Sequence, residues 1–478
     1  MLSTFFAKKI KDNFKFSPTK QQNQVITLLS DFLSSRKDKD AFLLRGYAGT
    51  GKTSLVGALV KALVELKQKV ILMAPTGRAA KVFSSYADYP AFTIHKQIYR
   101  EKKFGADVRS FDLCPNTNRN AIFIVDEASM IANQGLSGVS FGSGCLLDDL
   151  INYVYNDLNC KLILMGDTAQ LPPVGEELSP ALLSDHLVGY GLTVQEFELT
   201  DVVRQDVESG ILVNATRLRN NLMDEQIQQL PTIQVKGLQQ VDYLSGRDLI
   251  DTLSSCYSNY GMEESIVICR SNKRANLYNR GIRASVLYRE DELNTGDLLM
   301  VNKNNYYWSK EYKELDFIAN GEIVKVKRLG STYELYGFRF ADATISLPDH
   351  ESYEIEVKLL LNTLHTETPA LSRNEQEKLF QAVLEDYADV RLKKDRIKKI
   401  KEDPHFNALQ VKYAYAITGH KAQGGQWSAV FIDQGYMSEE YLNADYFRWL
   451  YTAFTRATDH LYLVNFPKSQ IEDWDELM

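Results

Sequence analysis

The run Gly46-Tyr47-Ala48-Gly49-Thr50-Gly51-Lys52-Thr53 satisfies GxxxxGK[ST], the spacing of a phosphate loop. Its glycines let the backbone curl so that N–H groups and a helix N-terminus face an anion. Lys52 supplies a cation for β- and γ-phosphates, and Thr53 a hydroxyl for Mg²⁺. A second cluster, Asp126-Glu127, closes the apolar run Ile122-Phe123-Ile124-Val125. Successive strand side chains point to opposite faces, so Asp126 can reach a metal while Glu127 turns elsewhere to orient and deprotonate a water. That is the chemistry of hydrolysis rather than of transfer to a substrate hydroxyl. A third stretch, Gly166-Asp167-Thr168-Ala169-Gln170-Leu171-Pro172-Pro173, carries Gln170, an amide able to hydrogen-bond a γ-phosphate oxygen or a water. In this order the three point to a nucleoside-triphosphate hydrolase.

These groups need elements to hold them. Ala41-Phe42-Leu43-Leu44 reads as a buried strand before the loop, and residues 55–66 carry a helical apolar period after it. Val70-Ile71-Leu72-Met73, the run at 122–125 and Leu162-Ile163-Leu164-Met165 follow, separated by helical stretches. Short β-rich runs so spaced predict a parallel sheet with crossover helices. A second α/β pattern opens near Glu196 and includes Ser265-Ile266-Val267-Ile268-Cys269 and a helical stretch at 272–288. From Gly296 to about Pro348 the pattern alternates as strands do, in Ile323-Val324-Lys325-Val326-Lys327 and Tyr333-Glu334-Leu335-Tyr336, and a charged helical segment at 373–402 follows. Val411 onward returns to strand and helix, with buried strands at 429–432 and 461–464. An inserted module inside a second α/β domain accounts for this order.

Seven stretches, taken in order, resemble the motifs of superfamily 1 helicases. They are residues 46–53, Ala74-Pro75-Thr76-Gly77-Arg78-Ala79-Ala80-Lys81, Asp126-Glu127-Ala128, residues 166–173, Val203-Arg204-Gln205, Thr418-Gly419-His420-Lys421-Ala422-Gln423-Gly424 and Leu450-Tyr451-Thr452-Ala453-Phe454-Thr455-Arg456-Ala457. The wording looks most like the RecD-like and Dda-like branch, and it runs from about Pro18 to Val464. The resemblance implies an α/β fold of two RecA-like P-loop domains, with a small hairpin insertion in the first and an SH3-like strand-rich insertion in the second. The expected division is a first RecA-like domain at 1–195, with the hairpin at about 97–120. The second domain falls at 196–296 and 410–478, around an inserted SH3-like and helical module at 297–409.

The resemblance also assigns roles. Gln22 matches an adenine-reading glutamine, and an amide can donate and accept together against adenine N6 and N7. Gly46, Ala48, Gly49, Thr50, Gly51, Lys52, Thr53 and Gln426 belong to the ATP site, although Gln426 stands where many superfamily 1 helicases carry a ribose-binding Glu. Thr53 and Asp126 are the expected Mg²⁺ residues; Glu127, Gln170, Arg204 and Arg456 the expected catalytic ones. Arginines reaching the γ-phosphate from a second domain make hydrolysis depend on closure. Pro75, Thr76, Arg78, Thr93, His95, Asn272, Thr418, His420 and Lys421 occupy motifs that contact single-stranded DNA through phosphates, which suits a sequence-indifferent motor. The implied activity is an ATP-dependent DNA helicase moving 5′ to 3′ on single strands and unwinding duplex at duplex–single-strand junctions. A translocase that remodels protein–DNA complexes, or an RNA helicase, are the alternatives. DNA replication, recombination and repair are the processes such an enzyme serves.

The rest of the chain narrows the class. A guanine switch would want Asn-Lys-x-Asp, and neither Asn272-Lys273 nor Asn302-Lys303 continues that way. At 478 residues there is room for two to four cores. The net charge of −7 excludes a globally basic nucleic-acid binder but allows a local basic groove. The basic segment at 391–401 reads as a solvated helix face in preference to a nucleic-acid contact, the alternative for such a run. The cysteines Cys114, Cys145, Cys160, Cys256 and Cys269 form no CxxC pair, which predicts neither a disulfide framework nor a zinc site. Residues 1–16 lack the apolar core of a signal peptide and no run is long enough to span a membrane, so a cytoplasmic protein is expected, with a monomer compatible and no protein partner indicated. No role is assigned to the glycine- and serine-rich residues 135–144.

Overall fold

The computed structural model describes residues 2–101, 111–133, 141–156, 159–202, 209–312, 315, 317–347, 350–368, 370–472 and 474. Six strands make the first sheet, in the order Ala91–Thr93, Lys69–Ala74, Ala121–Val125, Lys161–Gly166, Asp40–Gly46, Thr193–Leu199. Every pairing in it is parallel. Parallel sheets are covered on both faces, and the strand residues divide accordingly. Phe42, Leu44, Ile122, Ile124, Ile163 and Met165 join one core with helices Lys20–Ser34 and Lys52–Glu65. Ala41, Leu43, Phe123, Val125, Leu162 and Leu164 join another with helix Leu146–Val154. The period of two thus sends alternate residues of one apolar run into two cores.

The strand read near Glu196 as the opening of the second α/β unit is corrected by this pairing. Thr193–Leu199 lies beside the phosphate-loop strand, in register from Asp40↔Thr193 to Gly46↔Leu199, and is the edge of the first sheet. Its apolar content resembles that of a strand in either sheet, and only the pairing decides.

The second sheet runs Ala416–Thr418, Ser265–Cys269, Trp427–Asp433, Ala457–Val464, Val241–Leu244, again parallel. Between helix Asn272–Ser285 and strand Ala416–Thr418 the chain leaves to build a closed barrel from Leu298–Val301, Ile323–Leu335, Phe338–Leu347, His350–Leu360 and Leu409–Tyr413. Ile323–Leu335 is one strand where the sequence pattern shows two. Its register shifts at Val326/Arg328 and Leu329/Thr332, and such bulges curl a small sheet toward closure. The charged segment after the barrel is two helices, Arg373–Asp386 and Lys393–Lys401. Leu379, Val383 and Ile400 pack from them onto Phe338, Phe340 and Leu360 at the barrel end. A separate two-stranded sheet pairs Tyr99–Glu101 with Phe111–Leu113 in antiparallel fashion; residues 102–110, within the hairpin expected at about 97–120, lie outside the described residues. No helix of the described residues is long and apolar enough to cross a membrane.

Candidate active site

The phosphate loop follows strand Asp40–Gly46 and feeds helix Lys52–Glu65, at the carboxyl end of the sheet, where open α/β folds bind ligands. Gly49 and Gly51 sit at φ 76° and 79°, and Gly51 is the helix N-cap in the left-handed region, a geometry that side chains with a Cβ resist. The first-turn N–H groups of that helix have no carbonyl within the helix to take them. The Lys52 ammonium donates to the carbonyl oxygens of Gly46 and Gly166, 3.3 Å away in the latter case, so it bridges the ends of two strands at the loop.

A cleft of about 900 Å³ opens there. Among its walls are Ala48, Gly49, Gly51, Lys52, Thr53, Asp126, Glu127 and Gln170 from the first domain, and Gln426 and Arg456 from the second. Asp126 and Glu127 follow strand Ala121–Val125, and both line the cleft. One Asp126 oxygen accepts from the Tyr86 hydroxyl at 2.6 Å and the other from the Glu127 N–H at 2.8 Å. Glu127 sits at φ 52°, a conformation that is rare outside glycine and clusters at functional sites. Burial raises its carboxyl pKa, while Arg456, 4.0 Å away, pulls the other way. Arg456 is itself buried, donating to the carbonyls of Thr452 and Gly425 and to the Thr455 hydroxyl. The Oε1 of buried Gln170, a residue that lines the cleft, has no hydrogen-bond partner in the structure. Main-chain donors, a lysine and hard oxygen donors at Thr53 and Asp126 are the set that a magnesium nucleotide requires.

Two expected nucleotide residues lie behind the cleft. Thr50 is buried, its hydroxyl donating to the Tyr47 carbonyl at 2.8 Å. Gln22 is buried too, and closes a capping box with Thr19 while its amide donates to the Thr50 carbonyl at 3.3 Å. It braces the loop from below; exposed Phe16 lines the cleft at that end instead. Arg204 lies outside the described residues.

A groove of about 790 Å³ runs along the same seam between the domains, and Thr76, Arg78, Asn272, Thr418, His420 and Lys421 line it. Pro75 directly precedes them on the loop after strand Lys69–Ala74. Thr76 caps helix Gly77–Ala87, accepting from the Ala79 N–H. Arg78 crosses to the second domain, donating to the Gln426 carbonyl at 2.7 Å with its guanidinium 3.8 Å from the Trp427 ring centre. Lys421 donates to Asn320 at 2.6 Å, and burial lowers its pKa to about 8. Thr93 and His95 stand apart from this group. Thr93 caps helix Ile94–Ile98, and the His95 ring packs against Tyr99 and Phe141, where burial lowers its pKa to about 4 and keeps it neutral.

The sequence reading missed the barrel's share. Asn302 and Asn320 line the groove, and the Asn302 Nδ2 is buried without a partner. The Asn-rich stretch at 302–305 carries no motif that separates it from a surface loop. It also missed the cross-domain latch on Leu171, whose N–H donates to the Thr452 hydroxyl at 3.0 Å and whose carbonyl accepts from Gln423 at 2.6 Å.

Two parallel sheets, a phosphate loop on the first and a buried arginine of the second 4.0 Å from Glu127 in the shared cleft define a two-domain P-loop NTPase. Residues 20–232 match a family described as an AAA domain, and residues 413–464 match the UvrD-like helicase C-terminal domain. An uncharacterized protein of Acanthamoeba polyphaga mimivirus, R530, is 24% identical across 93% of this chain and 98% of its own length. The ATP-dependent DNA helicase dda of Enterobacteria phage T4 is 25% identical over 83% of this chain and 88% of its own. The ATP-dependent RecD2 DNA helicase of Deinococcus radiodurans is 26% identical over 70% of this chain, which spans 44% of that protein. In both family matches and in these relatives the chain is similar to superfamily 1 helicases of the branch that holds RecD2 and Dda.

Proposed function

We propose that this protein is an ATP-dependent DNA helicase that moves 5′ to 3′ along a single strand and opens duplex at junctions. One observation carries the reading. The segment 166–174 starts in the nucleotide cleft, with Gly166, Asp167 and Gln170, and ends in the groove, with Pro173 and Val174. Leu171, between the two, is held by the second domain through Thr452 and Gln423. A change in either site therefore moves the wall of the other, and a hydrolysis cycle becomes displacement of a strand.

ATP with Mg²⁺, held by the phosphate loop, Lys52, Thr53 and Asp126, supplies the γ-phosphoryl group and its free energy of hydrolysis. Glu127 accepts a proton from water, and Gln170 offers the free Oε1 that orients it. Arg456 brings positive charge from the second domain, so turnover requires closure. In the groove, Thr76, Asn272, Thr418 and Lys421 present hydroxyl, amide and ammonium donors suited to phosphate oxygens, which carry no sequence information. The hairpin on Tyr99–Glu101 and Phe111–Leu113 stands on the first domain as the element to separate strands.

The test uses matched duplexes with only a 5′ or only a 3′ single-stranded tail. Unwinding confined to the 5′ tail, lost in Lys52→Ala together with DNA-stimulated ATP hydrolysis, is expected. Unwinding from the 3′ tail would overturn the polarity. DNA-stimulated hydrolysis without unwinding would make the protein a translocase, and unstimulated hydrolysis would end the motor reading.

A further inference from the structure

We infer that Tyr451 is a positioning residue for ATP hydrolysis, its hydroxyl tying the phosphate loop to the domain that carries Arg456. This rests on the helicase reading above and adds a group that none of its motif roles includes. The Tyr451 hydroxyl accepts the Ala48 N–H at 2.9 Å and donates to Asp167 at 2.6 Å. Both partners lie in the first domain, one on the phosphate loop and one at the tip of strand Lys161–Gly166. Tyr451 belongs to the second domain, on helix Ala444–Phe454. A tyrosine serving only to fill its own core would find its partner there. This one finds both across the cleft, so the bonds exist only while the domains are together.

The geometry ties that contact to the chemistry. Arg456 follows the same helix by two residues and is clamped to it through the Thr452 carbonyl at 3.1 Å, so Tyr451 and Arg456 move as one piece. The other Asp167 oxygen accepts the Ala169 N–H at 2.9 Å, at the start of the loop that carries Gln170. One hydroxyl thereby sets the loop that holds phosphates, the strand tip that leads to Gln170 and the distance from which Arg456 faces Glu127. Tyr451 and Asp167 are each only 1% exposed, so water cannot replace the bonds. Burial beside Asp167 also holds the phenol pKa well above its ordinary value, so the hydroxyl keeps the proton it donates.

Tyr451→Phe fills the same volume and removes the hydroxyl alone. Steady-state ATP hydrolysis with saturating single-stranded DNA should show kcat lowered about tenfold or more, with KM for ATP within about threefold of wild type. A packing defect would lower the melting temperature without that split. Asp167→Asn keeps the shape and one acceptor, and it should lower kcat in the same direction. The double variant should be no slower than the slower single, since both remove one interaction. Turnover of Tyr451→Phe within about twofold of wild type, parallel loss of kcat and ATP affinity, or additive effects in the double variant would each overturn the inference. If Tyr451→Phe does not fold, Asp167→Asn decides by the same split. Wild-type protein whose ATPase ignores DNA would overturn the helicase reading as well, and that failure shows before any variant is made.

Discussion

Asp297 is fully buried where the chain passes from the second sheet into the barrel, and its replacement should loosen the barrel selectively. Its carboxylate accepts from Arg283 Nε and Nη2, both at 3.1 Å, from Arg289 Nη1 at 2.6 Å, from the Tyr415 hydroxyl at 2.7 Å and from the Asn294 N–H at 2.7 Å. Asp297→Ala leaves the Arg283 guanidinium, whose side chain is only 7% exposed, without its counter-charge. Breaking a buried pair in this way costs about 3–5 kcal/mol. The lower half of that range applies, because Arg283 keeps the Asp291 carbonyl and Asn294 Oδ1, each at 2.7 Å, and the face of Tyr413. Asp297→Asn retains the shape and one acceptor and should cost about 1–3 kcal/mol. The loss is local: Tyr415 also accepts the Leu298 N–H, and Ala414 N–H donates to Leu298, so the same node pins the first and last barrel strands. Urea denaturation gives the total, and hydrogen exchange should show lost protection in Leu298–Val301 and Leu409–Tyr413 while Asp40–Gly46 keeps its own. A cost under about 1 kcal/mol for Asp297→Ala, or even loss across both sheets, would refute the reasoning.

Further expectations follow from the two sites. Glu127→Gln should lower ATP turnover about 10²- to 10⁴-fold with nucleotide binding retained, measured by steady-state hydrolysis against equilibrium binding of a non-hydrolysable analogue. Because burial raises the Glu127 pKa, wild-type kcat should fall on acidification at a pH above that of an ordinary glutamate, as the base takes up its proton. Single-strand affinity at constant salt should weaken as pH rises through about 8, where Lys421 in the free protein loses the charge that phosphate favours. Lys421→Arg should flatten that slope in fluorescence anisotropy, leaving the part due to Lys412, which burial also brings to about 8. Gly419→Ala would set a Cβ 2.6 Å from Trp449 Cδ1 and should cost about 1–3 kcal/mol in thermal or urea unfolding.

Much of the nucleotide site was legible in the chain because its chemistry is local. Within residues 46–53 the glycine positions, the lysine and the hydroxyl are neighbours, and the backbone geometry that presents them is set by the same few residues. Asp126 and Glu127 directly follow a strand whose apolar run is unmistakable. The parallel sheets were legible for a similar reason, since both faces are covered and the runs are continuous.

Tertiary structure decided what depends on pairing across distance. The run near Glu196 has the same character in either sheet, and its register against Asp40–Gly46 settled its place. Gln22 and His95 have residue types apt for ligands, and that one bonds the loop from beneath while the other packs among aromatic rings is set by burial and neighbours that local spacing does not carry. Tyr451 reaches Ala48 across 403 residues of chain, and Thr452 reaches Leu171 across 281. Such contacts leave no periodicity to read: a motif states which atoms can do chemistry, and only the packing of one domain on the other states which of them meet.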